Sequence, residues 1–256
     1  MVALLVVLVV AVVVIGGGVL VSRLSAEQPA PVPQDEPGPV LLVPGYGGSV
    51  GSLSALAARL DAAGRDATVV QVPGDGTGDL TAAADALGEA ADAALTRTGA
   101  TSVDVVGYSA GGVVARLWVA DGGADVARRV VTLGAPHHGT TLADLAGDLA
   151  PESCPEACLQ LTTGSDLLNR LNAGDETPEG PTWVSIWTEQ DRTVTPPDTA
   201  RLEGAINLPV QRICADARVG HGELPRDPLV QAMVLAELAA GDPVDLGTAD
   251  CARLRG

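Results

Sequence analysis

Short apolar runs alternate with longer amphipathic stretches over most of this chain. The run Val40-Leu41-Leu42-Val43 contains no polar position, which is typical of a strand that is buried on both faces of a sheet. Runs of the same kind predict further strands at 67–72, 103–106, 129–133 and 183–188, and a weaker one, interrupted by proline, at 205–213.

Between these runs, apolar residues recur at helical spacing and predict helices at 52–63, 80–98, 113–120 and 229–240. The second of them carries Leu80, Leu87 and Leu95 along one side and ends before Gly99, a residue type that favours helix termination. Regular alternation of strands and helices predicts an α/β fold in which helices cover both faces of a mostly parallel sheet.

The alternation is interrupted at about 137–181. Two stretches there, 141–149 and 160–171, have apolar spacing suited to helices that lie on a surface. Insertions of this length in a compact domain are usually functional or disordered. Because this one follows the strand at 129–133 and precedes the strand at 183–188, we predict a cap over the catalytic face of the sheet.

The N-terminus has 20 residues without a charge, from Val2 to Val21, about the length of a helix that crosses a bilayer. We predict a transmembrane anchor or signal segment at 1–24. A retained anchor is favoured, because the apolar stretch is long for a signal peptide and no basic residue precedes it. Arg23 follows the segment, and the positive-inside tendency would place the chain after it on the cytoplasmic side. This is opposite to the topology of an exported domain, so the orientation stays open.

The next residues, 25–39, include five prolines among polar side chains, and this composition predicts an extended tether. The folded domain is therefore placed at 40–256. A chain of 256 residues with 46% hydrophobic content is long and apolar enough to bury a sizeable core.

The balance of charged and aromatic residues disfavours several kinds of partner. The formal net charge is −17, and since the chain lacks lysine, all 15 basic residues are arginine. Such a surface repels nucleic acid and anionic lipid headgroups, so any membrane affinity must be apolar. Phenylalanine is absent and aromatic residues make up 2%, which disfavours a sugar site built on stacked rings and predicts an aliphatic groove.

The chain has four cysteines, Cys154, Cys158, Cys214 and Cys251. An even number is expected to be oxidised in an exported protein. Three pairings are possible. The short separation of Cys154 and Cys158 favours a small closed loop, with Cys214 and Cys251 as the other bridge. Zinc is the competing interpretation, but the sequence has no matching second pair of ligands, and we predict no metal and no cofactor.

Residues 107–111 read Gly-Tyr-Ser-Ala-Gly and directly follow the predicted strand at 103–106. A G-x-S-x-G pattern between a strand and a helix is typical of a strained turn that exposes a serine hydroxyl, with small neighbours that let the helix pack closely. We therefore predict that Ser109 is a nucleophile.

A serine nucleophile needs a histidine base and a carboxylate that orients it. In chain order the acid and then the histidine follow the serine in folds with this turn. His221 fits that order, whereas His137 and His138 come too soon after Ser109 and are expected to support the floor of the site by hydrogen bonding. Asp191, just after the strand at 183–188, is the favoured acid.

Glu189 is the alternative acid in the same segment. The oxyanion needs two backbone donors. We predict the N–H of Ala110, directly after the serine, and that of Tyr46 in the glycine-rich loop at 44–48. This loop lacks the Lys-Ser/Thr of a phosphate-binding P-loop.

Together these motifs resemble those of small bacterial lipases of the α/β-hydrolase superfamily, in particular the class 2 lipase and esterase group. The resemblance covers most of 39–240 and rests on these parts in order: Val40-Leu41-Leu42-Val43-Pro44-Gly45-Tyr46-Gly47-Gly48, Gly107-Tyr108-Ser109-Ala110-Gly111-Gly112, Leu133-Gly134-Ala135-Pro136-His137-His138-Gly139-Thr140, Asp191 with Val194 and Pro196, and His221. It implies an α/β-hydrolase fold and ester hydrolysis through an acyl-enzyme. Ser109 would be the nucleophile, His221 the general base and acid, and Asp191 its orienting partner, with Tyr46 and Ala110 as oxyanion donors.

The chain departs from the family pattern at three positions. Pro44 stands where many relatives have histidine, and Tyr108 and Ala110 replace the frequent histidine and methionine beside the nucleophile. None of these changes removes a reacting group. Some larger relatives carry calcium, but no ligand set can be assembled around Asp227, which lies near the predicted histidine.

We therefore expect an extracytoplasmic carboxylic ester hydrolase that acts on lipid-like acyl esters, anchored by 1–24 or secreted after cleavage, and monomeric. Acyl transfer or thioester hydrolysis with the same three residues is the enzymatic alternative. A membrane-anchored binding protein without activity is the third hypothesis.

Overall fold

The computed structural model describes residues 32–256. The predicted anchor at 1–24 and the predicted tether as far as residue 31 lie outside the described residues. Between residues 32 and 256, no helix is both long enough and apolar enough to cross a membrane.

Six parallel strands form one sheet in the order β2-β1-β3-β4-β5-β6. They are β1 (Val40–Val43), β2 (Ala67–Val69), β3 (Val103–Tyr108), β4 (Ala127–Leu133), β5 (Thr182–Trp187) and β6 (Ile206–Pro209). Because all of them run in the same direction, their carboxyl ends lie at one edge of the sheet, where loops from distant parts of the sequence meet.

Helices connect the strands. They are α1 (Ser54–Ala62), α2 (Leu80–Thr98), α3 (Ala110–Ala120), α4 (Thr141–Leu149), α5 (Glu156–Gln160), α6 (Asp166–Leu171), α7 (Val210–Ile213), α8 (Pro228–Glu237) and α9 (Cys251–Arg255). The predicted bounds are confirmed for β1, α2 and α4. At α2 both ends carry local signals, since the Asp79 side chain accepts from the Thr81 N–H and Gly99 adopts φ of 70°.

Each face of the sheet contributes to its own hydrophobic core. In β1, Leu41 and Val43 pack with α2 and α3 on one face, while Val40 and Leu42 pack with α1 and α8 on the other. All four residues of β1 are at most 1% exposed. The prediction of a parallel sheet covered on both faces is therefore confirmed.

Two predicted elements are each divided in the structure. The stretch at 160–171 is broken into the end of α5 and the separate helix α6, which starts where the Ser165 hydroxyl accepts from the Leu168 N–H. The predicted strand at 205–213 divides at Pro209 into β6 and the short helix α7, because proline cannot donate to a continuing strand ladder.

Both disulfides have the pairing that the spacing favoured. Cys154 and Cys158 are bonded across α5, with their Cα atoms 5.2 Å apart. Cys214 and Cys251 are bonded with the same Cα separation of 5.2 Å and attach α9 to the end of α7. The first bridge closes one turn of the segment between β4 and β5, and the second fixes the C-terminal tail to the domain.

The described end of the predicted tether, residues 32–39, packs against the domain instead of extending from it. Val32 is 7% exposed. The Gln34 side chain donates to the Arg128 carbonyl at 3.2 Å and accepts from Thr182 at 3.1 Å. These partners lie at the amino ends of β4 and β5. The segment 32–39 therefore covers the amino edge of the sheet, opposite the edge formed by the carboxyl ends of the strands.

Buried charges occupy the same amino edge. The Asp104 carboxylate accepts from Arg128 through Nε at 2.8 Å and Nη2 at 2.7 Å, and from Arg65 at 2.5 Å. Asp104 and Arg128 are both fully buried. This bidentate ion pair gives each oxygen of the Asp104 carboxylate a hydrogen-bond donor, as a buried charge requires.

Glu237, at the end of α8, is a buried carboxyl without a full set of partners. It is fully buried, its Oε2 accepts from the Val244 N–H at 3.1 Å, and its Oε1 has no partner among the described residues. Burial raises the pKa of Glu237 to about 7, although Arg129 nearby lowers it in part. Neutral Glu237 is therefore the form that the folded state favours.

This shift predicts that pH affects stability through Glu237. Its stabilisation is complete below the ordinary pKa of 4.5 and is lost as pH rises through about 7. Glu237→Gln mimics the neutral acid, so the free energy of unfolding of this variant relative to wild type should rise by up to about 3 kcal/mol between pH 4.5 and pH 8. Urea unfolding measures the difference. The raised pKa of Glu237 would be contradicted if the free-energy difference between variant and wild type did not change with pH. It would also be contradicted if the exposed control Glu89→Gln showed the same change with pH.

Candidate active site

Three side chains from distant parts of the sequence form a hydrogen-bonded row at the carboxyl edge of the sheet. Ser109 follows β3, Asp191 follows β5, and His221 lies in the loop before α8. His221 Nε2 is 3.0 Å from Ser109 Oγ, and His221 Nδ1 is 2.7 Å from Asp191 Oδ2. The structure thus brings together the three residues that the sequence singled out for this chemistry.

Ser109 occupies a strained turn. Its φ of 53° is positive, and among the described residues no other non-glycine residue has a positive φ. Strain of this kind is found where the surrounding structure enforces it, often at functional sites. Here the Ser109 N–H donates to the Leu133 carbonyl of β4 at 2.8 Å, and α3 starts at the next residue.

Glycines beside Ser109 let α3 approach the sheet. A Cβ on Gly107 would lie 2.5 Å from the Gly111 carbonyl oxygen and 2.6 Å from the Gly112 Cα. A Cβ on Gly111 would lie 2.6 Å from the Pro44 carbonyl oxygen. Atoms cannot approach this closely, so only glycine fits these positions without movement of the backbone.

Asp191 is oriented by its own loop. Its Oδ1 accepts from the N–H groups of Thr193 at 2.8 Å and Val194 at 2.9 Å, which leaves Oδ2 for His221. Asp191 is 6% exposed, and Val194 is 2% exposed and anchors the turn in the core. Glu189, the alternative acid, is exposed, and its backbone N–H donates to Gln211.

Tyr108 contacts the histidine, a role that the sequence interpretation missed. Its ring centroid is 5.2 Å from that of His221, and its hydroxyl donates to the His221 carbonyl at 3.3 Å. Burial and the Asp191 charge raise the pKa of Tyr108 to about 12, so its hydroxyl remains a donor. Tyr108 occupies a variable position of the G-x-S-x-G pattern, which therefore contains no signal for this contact.

The two predicted oxyanion donors lie on elements that flank Ser109. Ala110 is the first residue of α3, where N–H groups have no acceptor within the helix. Gly45 precedes Tyr46 and lies against the serine, since a Cβ there would be 3.0 Å from the Ser109 Cβ. The loop is held by Gly47, whose N–H donates to the Gly76 carbonyl at 3.1 Å. The Tyr46 side chain itself is 45% exposed.

Neither of the other histidines hydrogen-bonds to Ser109. His137 is fully buried, and its Nε2 is 3.1 Å from Thr132 Oγ1. Burial, with a further effect of Arg116, holds the pKa of His137 well below its ordinary value. His138 Nε2 is 2.7 Å from Glu176 Oε1. These contacts attach the loop after β4 to β4 itself and to the chain before β5.

Two cavities near the row of three residues differ in character, and Ser109 itself lines neither of them. One has a volume of about 50 Å³, has mostly apolar walls and lies beside Gly45 and Ala110. The other is an open cleft of about 560 Å³ that is lined by Asp191, His221 and polar neighbours. A further groove of about 810 Å³ between α2 and α3 contains none of the three residues.

No group of three histidine, cysteine or acidic side chains within residues 32–256 is arranged to hold a metal ion. Asp227, considered above for calcium, caps α8, because its carboxylate accepts from the Leu229 N–H at 2.9 Å.

Comparison with known proteins places this arrangement in a known fold. A family model described as alpha/beta hydrolase fold matches residues 38–153. No curated protein sequence matches the chain significantly. With its sheet order and the position of Ser109, the chain has an α/β-hydrolase fold.

Solved structures similar to this chain include two lipases. Aspergillus fumigatus lipase B has a TM-score of 0.68 and 19% identity, over 86% of this chain and 60% of that one, so this chain spans only about 60% of that enzyme. Mature Bacillus licheniformis lipase BlEst2 has a TM-score of 0.64 and 20% identity, over 83% of this chain and 95% of that one.

An N-formylmaleamic acid deformylase from Pseudomonas putida is also similar, with a TM-score of 0.50 and 18% identity, over 78% of this chain and 91% of that one. At these identities the likenesses show a shared fold. Since that fold supports several reactions, the reaction of this chain has to be inferred from its own residues.

A side chain at the glycine positions around Ser109 should lower the stability of the fold. Gly107→Ala should lower the free energy of unfolding by about 1–3 kcal/mol or more, because the new Cβ overlaps the backbone of α3. Denaturant unfolding measures the loss. The matched control is Gly247→Ala, where no atom lies within 4 Å of the added Cβ. Equal stability of the two variants would show that the turn tolerates a side chain at position 107.

Proposed function

We propose that this protein is a serine carboxylic ester hydrolase that works through an acyl-enzyme. The observation that carries the proposal is the row of hydrogen bonds from Asp191 through His221 to Ser109, with distances of 2.7 and 3.0 Å. A serine hydroxyl is a weak nucleophile unless a base of this kind lies within hydrogen-bond reach. The strained turn at Ser109 adds support, since it presents the hydroxyl where a substrate can reach it.

In the first half of the reaction, His221 Nε2 takes the proton of Ser109 Oγ while that oxygen attacks the ester carbonyl carbon. The negative charge on the carbonyl oxygen would be stabilised by the N–H groups of Ala110 and Tyr46. His221 then gives the proton to the departing alkoxy oxygen, the carbon–oxygen bond breaks, and an acyl-Ser109 ester remains.

In the second half, water attacks the acyl-enzyme. His221 takes a proton from the water and returns it to Ser109 Oγ as the acid leaves. Asp191 holds the His221 ring with Nδ1–H towards Oδ2 and stabilises the imidazolium that forms. Its other oxygen is held by the N–H groups of Thr193 and Val194, so the carboxylate cannot rotate away.

The wider setting of the proposal follows from the sequence. Two disulfides favour an oxidising, extracytoplasmic location. The apolar segment at 2–21 would anchor the protein in a membrane or be removed on export. The mostly apolar cavity beside Gly45 and Ala110 would suit an alkyl group of an ester. The two enzymatic alternatives use the same three residues. Acyl transfer differs in the acceptor of the acyl group, which is not water, and thioester hydrolysis differs in the leaving group, which is a thiol.

A fluorophosphonate probe tests the nucleophile. Wild type should become covalently labelled at Ser109, because the probe needs a serine activated by a base. Ser109→Ala should remove the label, while Ser54→Ala, at an exposed serine of α1, should leave it unchanged. Mass spectrometry of the labelled peptide locates the modification. An unlabelled wild type, or equal labelling of Ser109→Ala, would refute the assignment.

Asp191→Asn tests the orienting carboxylate. The variant should lower kcat with an activated ester by about 10³–10⁴-fold, because an amide stabilises neither the required tautomer nor the imidazolium. The exposed Asp198→Asn is the matched control and should retain wild-type kcat. Far-UV circular dichroism checks that both fold. A loss below about tenfold for Asp191→Asn would mean that another group orients His221.

A further inference from the structure

If the proposed function holds, two cavities receive different halves of an ester: the one lined by Gly45 and Ala110, which flank Ser109, and the one lined by His221. His221 must give its proton to the leaving oxygen, so the alcohol half lies on the His221 side of Ser109. The acyl half then lies on the other side, beside Gly45 and Ala110. Both residues line the small cavity of about 50 Å³, while His221 lines the open cleft of about 560 Å³.

The cavity on the acyl side is small. Its volume of about 50 Å³ is less than a tenth of the volume of the open cleft, which is about 560 Å³. Its walls include Val72, Leu80 and Val114. Leu80 is 4% exposed and Val114 is 2% exposed, so both are packed in the core and have little room to move aside.

One wall of this cavity is attached to the cap through Gln160, the last residue of α5. Its Oε1 accepts from the Leu80 N–H at 2.8 Å, and its Nε2 donates to Asp79 Oδ1 at 2.7 Å. The Ala157 N–H, also in α5, donates to the Thr77 carbonyl at 3.0 Å. Because the Cys154–Cys158 bridge closes this turn, α5 is a rigid support that keeps Leu80 in the cavity.

The cleft on the alcohol side is larger and polar. Glu189 and Arg192 line it together with Gln190 and Thr193. Glu189 and Arg192 are exposed and carry opposite charges, so the cleft offers both hydrogen-bond acceptors and donors. A polar alcohol would therefore be bound better here than a hydrocarbon chain.

We propose that the preferred substrates are short acyl esters of larger polar alcohols. Leu80 sets the limit on acyl length, and Gln160 is the positioning residue that holds Leu80 in place. This inference rests on the proposed function and narrows the lipid-like preference expected from composition.

The acyl half is tested with p-nitrophenyl acetate, butyrate and octanoate below their micelle concentrations. Wild-type kcat/KM should fall by about tenfold or more from butyrate to octanoate, since misfit of even one methylene in a closed pocket costs about tenfold. Leu80→Ala should raise the octanoate-to-butyrate ratio by about tenfold. Gln160→Ala should raise it in the same direction with Leu80 intact, whereas Leu149→Ala, at a 75% exposed leucine of the cap, should not change it.

A fourth variant keeps this test informative if Leu80→Ala fails to fold. Ala83→Val adds volume to the same wall and should lower the butyrate-to-acetate ratio. A wild type that prefers octanoate, or variants that leave both ratios unchanged, would overturn the assignment. If no ester of any length is cleaved and Ser109 takes no fluorophosphonate label, the proposed function itself fails.

The alcohol half is tested with acetate esters of glycerol and of hexanol. Wild type should have the higher kcat/KM with glycerol acetate, and the double variant Glu189→Gln, Arg192→Gln should reduce that preference. A preference for hexyl acetate, or one that the double variant leaves unchanged, would show that the polar cleft does not select the alcohol.

Discussion

The close approach of α3 to the ends of β1 and β4 is the constraint on which the rest of the site depends. It exists because Gly111 and Gly112 present no side chain to the Pro44 carbonyl and to Ala135. With α3 in that position, the chain has no room for a relaxed connection from β3, and Ser109 takes up φ of 53°. The serine hydroxyl is thereby directed out of the sheet, and the Ala110 N–H beside it opens the helix.

Strand β3, which leads into Ser109, is fixed at its two ends by different kinds of interaction. At its carboxyl end, β3 leads into Ser109, whose N–H is bonded to β4. At its amino end, Asp104 is held by Arg128 and Arg65 in a buried ion cluster. A carboxylate buried there without these arginines would be strongly destabilising. The cluster lies where the register of β3 against β4 shifts, between Val103 and Asp104, at the edge of the sheet opposite Ser109.

Features with a local signal could be predicted from the sequence, and those that depend on a distant partner could not. The bounds of α2 follow from Asp79 and Gly99, and the turn at Ser109 follows from its glycines. The contact of Tyr108 with His221, and the two bonds of Gln160 to residues about 80 positions away, depend only on tertiary packing. The break between α5 and α6 does have a local signal, since residues 162–165 read Thr-Thr-Gly-Ser and the Ser165 side chain caps α6.

The position of residues 32–34 on the domain has a practical consequence. Val32 and Gln34 are packed at the amino ends of β4 and β5, on the edge of the sheet that lies away from Ser109 and His221. A resin, fluorophore or fusion partner attached through the residues before Val32 would therefore join the domain on the side remote from Ser109 and His221. Immobilisation from this end should leave the side chains of Ser109 and His221 unobstructed.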